Sequence, residues 1–143
     1  MVVTKKFLLD SGIFIKFYRG DDRAANLLSG SNKRRDSISV LTITELCVGF
    51  KDNQISQVKD FLNKYTLLDV TSYIAHTASV LIKNNPSFFG KHAEHGILDA
   101  FIAATAIEHR LTLVTLNRKH FEKLKRPDLN CIIIRETEKN WHL

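Results

Sequence analysis

Disulfides and thiolate metal clusters have almost nothing to work with in this chain. Cys47 and Cys131 are its only two cysteines, far apart and in no C-x-x-C pair. They read as two buried free thiols in a reducing, cytoplasmic setting. Proline is as scarce: Pro86 and Pro127 are the only two, and both fall in expected loops, so neither breaks a helical or strand pattern. No run approaches the roughly 18 apolar residues that a membrane span needs. The opening Met1-Val2-Val3-Thr4-Lys5-Lys6-Phe7 runs into Asp10 too soon to read as a signal peptide. Repeats, low-complexity tracts and linkers are missing too. With 143 residues, the chain is expected to form a single domain over residues 1–143 that buries a core without staples.

Positive charge is what the chain has in excess. Its formal net charge is +6 and its pI about 9.4, a balance that attracts polyanions such as nucleic acid. The cations gather at Lys33-Arg34-Arg35 and again over Arg118, Lys119, Lys123, Lys125 and Arg126. Both groups are candidate phosphate contacts, with a solvated charged face as the alternative. Arg118 and Lys119 are the stronger candidates, because they begin beside the acidic residues described next.

Short β-rich runs alternate with helical patterns. The runs ending at Leu9, Leu41, Val70, Leu116 and Ile134 predict strands, the second beginning at Ser37 and the third at Thr66. Helices are predicted from Ile13 to Tyr18, Asp21 to Leu28, Thr44 to Phe50, Gln54 to Tyr65, Tyr73 to Lys83 and Ile97 to His109. The stretch from Asn84 to His95 reads as a loop. His92-x-x-His95 in that stretch has zinc-like spacing, but it lacks a cysteine partner. Such alternation predicts an α/β fold of three layers: a mostly parallel sheet of four to five strands flanked by helices. Sheets of this kind place their sites beyond the carboxyl ends of the strands.

Four oxygen-bearing residues fall there. Asp10 follows the first strand and Asn117 the fourth. Glu45 is expected in the first turn of the helix after the second strand, and Asp99 in the first turn of the helix that feeds the fourth. Hard divalent cations such as Mg²⁺ and Mn²⁺ take such ligands, and an ion held there polarises a phosphate and activates water. Each acid also has a structural reading. Asp10 suits a helix cap. Thr42-Ile43-Thr44-Glu45 matches a capping box. Asp99 suits the positive end of a helix. Its helix is apolar nearly all round, which predicts a buried carboxylate in need of a partner.

These residues carry a family likeness in order along nearly the whole chain. Leu8-Leu9-Asp10-Ser11-Gly12-Ile13-Phe14-Ile15 resembles the opening motif of PIN domains. Thr44-Glu45-Leu46 with Gly49-Phe50 resembles their second acidic segment. Asp99-Ala100-Phe101-Ile102-Ala103-Ala104-Thr105-Ala106 and Leu111-Thr112-Leu113-Val114-Thr115-Leu116-Asn117, with Phe121 after it, are similar to the segments typical of VapC-like toxins. The resemblance implies a PIN-like fold and metal-dependent cleavage of RNA. It implies Asp10, Glu45, Asp99 and Asn117 as site residues, with Asp10 and Asp99 holding Mg²⁺ or Mn²⁺ and the Ser11 hydroxyl near the ion. It also implies a cognate antitoxin as partner, a homodimer, and no membrane. The chain departs from the pattern where an acid often follows Asn117: His120 stands there. A PIN domain that binds RNA or protein without cutting is therefore the alternative.

Overall fold

The computed structural model describes residues 5–124 and 126–143. The start of the opening run (residues 1–4) and the candidate phosphate contact Lys125 lie outside them. Five strands form one sheet: β1 (Phe7–Leu9), β2 (Ser37–Ser39), β3 (Thr66–Leu68), β4 (Thr112–Thr115) and β5 (Asn130–Ile133), in the order β3-β2-β1-β4-β5. Every neighbouring pair is parallel, with Leu8 opposite Ser37 and Leu113, and Val114 opposite Ile132. The helices are α1 (Ser11–Tyr18), α2 (Asp22–Arg34), α3 (Val40–Gly49), α4 (Asp52–Leu62), α5 (Ser72–Asn84), α6 (Pro86–Phe89), α7 (Ile97–Glu108) and α8 (Arg118–Phe121). Among the described residues, no helix is long and apolar enough to cross a membrane.

The central strand explains the layering. β1 is apolar at all three positions and wholly buried, as a strand covered on both faces must be. Successive side chains point to opposite faces. Phe7 and Leu9 accordingly join Ile13, Phe14, Leu46, Leu62 and Val114 in one core layer. Leu8 joins Ile74, Leu81, Phe89, Ala103 and Leu113 in the other. Ala78 of α5 and Ala100, Ala103 and Ala104 of α7 are buried, and their small side chains let these two helices pack closely.

Several boundaries differ from the sequence reading for local reasons. Ser39 is the N-cap of α3, accepting from the Leu41 N–H at 3.2 Å, so the helix claims Val40 and Leu41 that read as strand. α1 begins at Ser11 because Asp10 caps it. The expected loop between α5 and α7 contains α6, a single turn with Pro86 at its first position, where the ring's fixed φ favours a helix start. Phe89 of that turn is fully buried. The two cysteines are free but only half-buried, and burial with the nearby charge of Asp10 pushes the Cys131 thiol up to about 11. Phe17 and Tyr18, adjacent on α1, both pack inside the chain. Phe17 stacks on Phe61 at 5.1 Å, and Tyr18 meets Phe50 edge-on at 4.9 Å.

Phe14 is the anchor of this aromatic cluster, edge-on to Tyr65 at 5.3 Å and to Phe61 at 6.2 Å, and it is fully buried. Phe14→Ala should cost about 3–5 kcal/mol of stability. Tyr73→Ala, on the exposed face of α5, should stay within about 0.5 kcal/mol. Urea denaturation of the two variants checks the contrast.

Candidate active site

Asp10 sits where β1 ends and α1 begins. Its extended backbone makes it the N-cap, and one carboxylate oxygen accepts from the Ser11 N–H at 2.9 Å. The other accepts from the hydroxyl of Thr115, at the end of β4, at 2.6 Å. That hydroxyl in turn accepts from the Asn117 N–H at 3.0 Å. Thr115 is fully buried, so it ties Asp10 and Asn117 together away from solvent. Asp10 is only 6% exposed. Burial raises its pKa most, the hydrogen bonds from Thr115 and Ser11 partly offset that, and the charge of Asp99 raises it further.

Glu45 reaches the same place from α3. The helix starts at Val40, so Glu45 lies in its second turn, not its first. The expected capping box is therefore absent, and Ser39 does the capping instead. Released from that role, the Glu45 side chain leaves Oε2 buried without a hydrogen-bond partner. Burial, then the charge of Asp10, raise its pKa from 4.5 to about 6, while the Ser11 hydroxyl pulls it down and Asp99 adds to the rise.

Asp99 stands in the first turn of α7, as the sequence suggests, but it is not the buried acid expected there. The middle of α7 is buried, whereas Ile97 and Leu98 of its first turn are exposed. The Asp99 side chain is 16% exposed, and it meets the Nδ1 atom of His120. The ring of His120 lies edge-on to Phe88 at 5.5 Å. Asp10, not Asp99, is thus the acid that burial penalises most. Gly96 starts the helix at φ 64°, a conformation that glycine adopts without strain.

Asp10, Ser11, Glu45, Asp99 and Asn117 line one cavity of about 320 Å³ at the carboxyl edge of the sheet. Lys16 and Glu136 also line it, paired with each other at 2.9 Å. Glu136 is an acid that the sequence reading missed, although it follows the fifth strand and the rule that found Asp10 and Asn117 covers it. Its segment is held by Arg23, whose guanidinium donates to the carbonyl of Glu138 at 2.9 Å and to that of Glu136. The same guanidinium lies 4.3 Å from the Trp141 ring. Thr115 was missed as well, and His120, noted only as the residue in place of an acid, was not foreseen as a partner of Asp99. Of the two stronger candidate phosphate contacts, Arg118 is paired with Glu122 at 3.0 Å, and Lys119 is exposed.

Among the described residues, no three acid, histidine or cysteine side chains are already drawn together into a ligand cage. The acids surround an open cavity, each engaged elsewhere or held apart. Their chemistry nevertheless fits a hard divalent cation. The donors are oxygens, one of them buried and unpartnered; the charge of Asp99 raises the pKa of both Asp10 and Glu45, and the charge of Asp10 raises that of Glu45. A cation between them would relieve that repulsion.

The PIN-domain family profile matches residues 7–127, most of the chain and every proposed site residue. The chain belongs to the PIN-domain family. This PIN domain is 32% identical over 124 residues to Ribonuclease VapC10 of Mycobacterium tuberculosis, covering 84% of this chain and 91% of that one. Its fold resembles a toxin–antitoxin complex from Klebsiella pneumoniae, with a TM-score of 0.68 and 26% identity over 87% of this chain and 95% of that one. It also resembles VapBC2 from Rickettsia felis bound to a promoter DNA fragment, with a TM-score of 0.72 and 25% identity over 90% and 98%.

Two measurements test the electrostatics of this PIN domain. The Glu45 carboxyl holds its proton up to about pH 6 when folded, against 4.5 for the ordinary group. The unfolded chain therefore loses that proton first, and the folded state should lose stability as pH rises through this window. In EDTA the melting temperature should drop between those values, and drop less in Glu45→Gln. Thr115→Val removes a buried donor and acceptor at once, and should cost about 1–3 kcal/mol in a denaturant titration.

Proposed function

We propose that this PIN domain is a metal-dependent endoribonuclease, the toxin of a toxin–antitoxin pair, hydrolysing RNA phosphodiesters to a 5′-phosphate and a 3′-hydroxyl. The observation that carries this reading is the convergence of Asp10, Glu45 and Asp99 on one cavity, with a buried Glu45 oxygen lacking a partner. The relatives named as VapC ribonucleases support it. Mg²⁺ or Mn²⁺, when bound, would supply the charge that polarises the phosphate and eases the loss of a proton from water.

Asp10 and Asp99 would hold the ion. Asp10 is pre-aimed by Thr115 and Ser11, so little order is lost on binding. Glu45 would bring its free oxygen as a further ligand or as the acceptor of a proton from the attacking water. Asn117, fixed through its N–H to Thr115, would orient the reactants with its amide but add no charge. The Ser11 hydroxyl, which lines the same cavity, would lie near such an ion. Lys119, and Arg118 if it leaves Glu122, would contact flanking phosphates. A cognate antitoxin and a second copy of the chain are the partners that this reading implies.

A second reading, binding without cutting, draws on one observation. His120 contacts Asp99, where a family acid would extend the negative charge. An Asp99 held by His120 is less available to an ion.

Purified protein should cleave structured RNA with Mg²⁺ or Mn²⁺ and stop in EDTA; undiminished cleavage in chelator would sink the metal mechanism. Mn²⁺ should raise the melting temperature of the wild type, and Asp99→Asn should lose both that rise and the cleavage. If Mn²⁺ stabilises neither protein and RNA stays intact, the non-cutting reading holds. Expression should arrest growth, with relief from a co-expressed small antitoxin.

A further inference from the structure

The site uses only one edge of the sheet. The opposite edge gathers the residues that precede each strand, and those are largely cations. Lys5 and Lys6 precede β1, Arg34 and Arg35 precede β2, Lys64 lies just before β3, and Arg110 just before β4. Given the strand order, Lys64, Arg35, Lys6 and Arg110 follow one another along the edge. They span three inter-strand spacings, about 15 Å.

Lys5, Lys6, Arg35, Lys64 and Arg110 are exposed, and none of them forms an ion pair among the described residues. Arg34 is committed to the buried Asp36 at 2.7 Å. The other acids near this edge are engaged as well. Glu108 accepts from the Thr77 hydroxyl at 2.7 Å, and Asp128 pairs with Arg126 at 2.7 Å. A cleft of about 310 Å³ opens here, lined by Lys6, Arg34, Arg35 and Thr66 among others.

Backbone conformation adds an independent observation. Arg35 and Arg110, at φ 53° each, are two of the three non-glycine residues with positive φ among the described residues. Each ends a helix just before a strand, where glycine avoids the clash that a Cβ brings. Arg35 is fixed in this conformation: its N–H donates to the Asn32 carbonyl at 3.1 Å, and its carbonyl accepts from the Thr66 hydroxyl at 3.0 Å. Two equivalent turns thus carry arginine where the backbone favours glycine. Both turns lie at the same edge of the sheet, and Arg35 lines the cleft there.

We propose that this edge binds the phosphate backbone of the RNA substrate at a distance from the bond that is cut. The choice of RNA rests on the ribonuclease reading above. The strands have only three or four residues, so at about 3.3 Å per residue the two edges lie about 10–13 Å apart along them. A folded RNA is large enough to lie against both. Contact of this kind reads backbone and shape, not base sequence. It favours structured RNA over short strands.

The test compares a hairpin RNA with a short unstructured oligoribonucleotide. Hairpin binding is measured in EDTA across a salt series. The triple variant Lys6→Glu, Arg35→Glu, Arg110→Glu should weaken it at least about tenfold and reduce the salt slope by about 2. Cleavage of the short oligomer with Mn²⁺ should match the wild type. The double variant Arg35→Gly, Arg110→Gly relieves both left-handed positions, so it should melt at or above the wild-type temperature yet bind the hairpin more weakly. Wild-type hairpin affinity and salt slope in both folded variants would overturn the proposal. If the wild type leaves both the hairpin and the oligomer uncut with Mn²⁺, the ribonuclease reading fails, while weaker hairpin binding by the variants still supports the cationic edge.

Discussion

A parallel strand has two unlike ends, and setting five of them side by side sorts the chain by position. Everything that follows a strand lands on one edge, and everything that precedes one lands on the other. The acids of the cavity follow strands or sit in the first two turns of the helices beside them, whereas many of the chain's cations precede strands, with the engaged Asp36, Glu108 and Asp128 among them. Charge separation across the molecule is therefore a result of topology. No single ion pair creates it. The buried Phe-Leu-Leu of β1 holds this arrangement in place, because it anchors both core layers at once.

At the acidic edge the fold works against itself. Burying Asp10 and leaving Glu45 Oε2 without a partner both cost stability in the absence of a cation. Thr115 limits the cost for Asp10 with a hydrogen bond; for Glu45 the Ser11 hydroxyl offsets only part of it, and Oε2 keeps no partner. Proteins tolerate such conflicts at functional sites. Here the conflict is confined to a few side chains, and the core beneath them is ordinary and apolar.

Much of this was legible in the residues themselves. The strand–helix alternation, the parallel sheet and the placing of Asp10, Asp99 and Asn117 at one edge follow from periodicity and spacing. Helix caps were harder to read, because Thr42-x-x-Glu45 satisfies the capping pattern while Ser39, three residues earlier, wins the role. Shifting the helix start moves Glu45 a full turn deeper and changes what its side chain meets. Contacts between distant segments were not legible. The Thr115 hydroxyl on Asp10 and the Nδ1 of His120 on Asp99 join residues far apart in sequence. Glu136 was within reach of the strand-end rule, since it follows the fifth strand, but its pairing with Lys16 across the fold, which brings it to the cavity, was not.

The segment after β5 has a use of its own. Glu136 enters the cavity only because that segment is strapped down by Arg23, which grips two of its carbonyls and lies over Trp141. Trp141 is 3% exposed, and it is the sole tryptophan of the chain. Its intrinsic fluorescence is thus a built-in optical reporter of whether the strap is seated. Any event that lifts Glu136 from Lys16 becomes visible without a label.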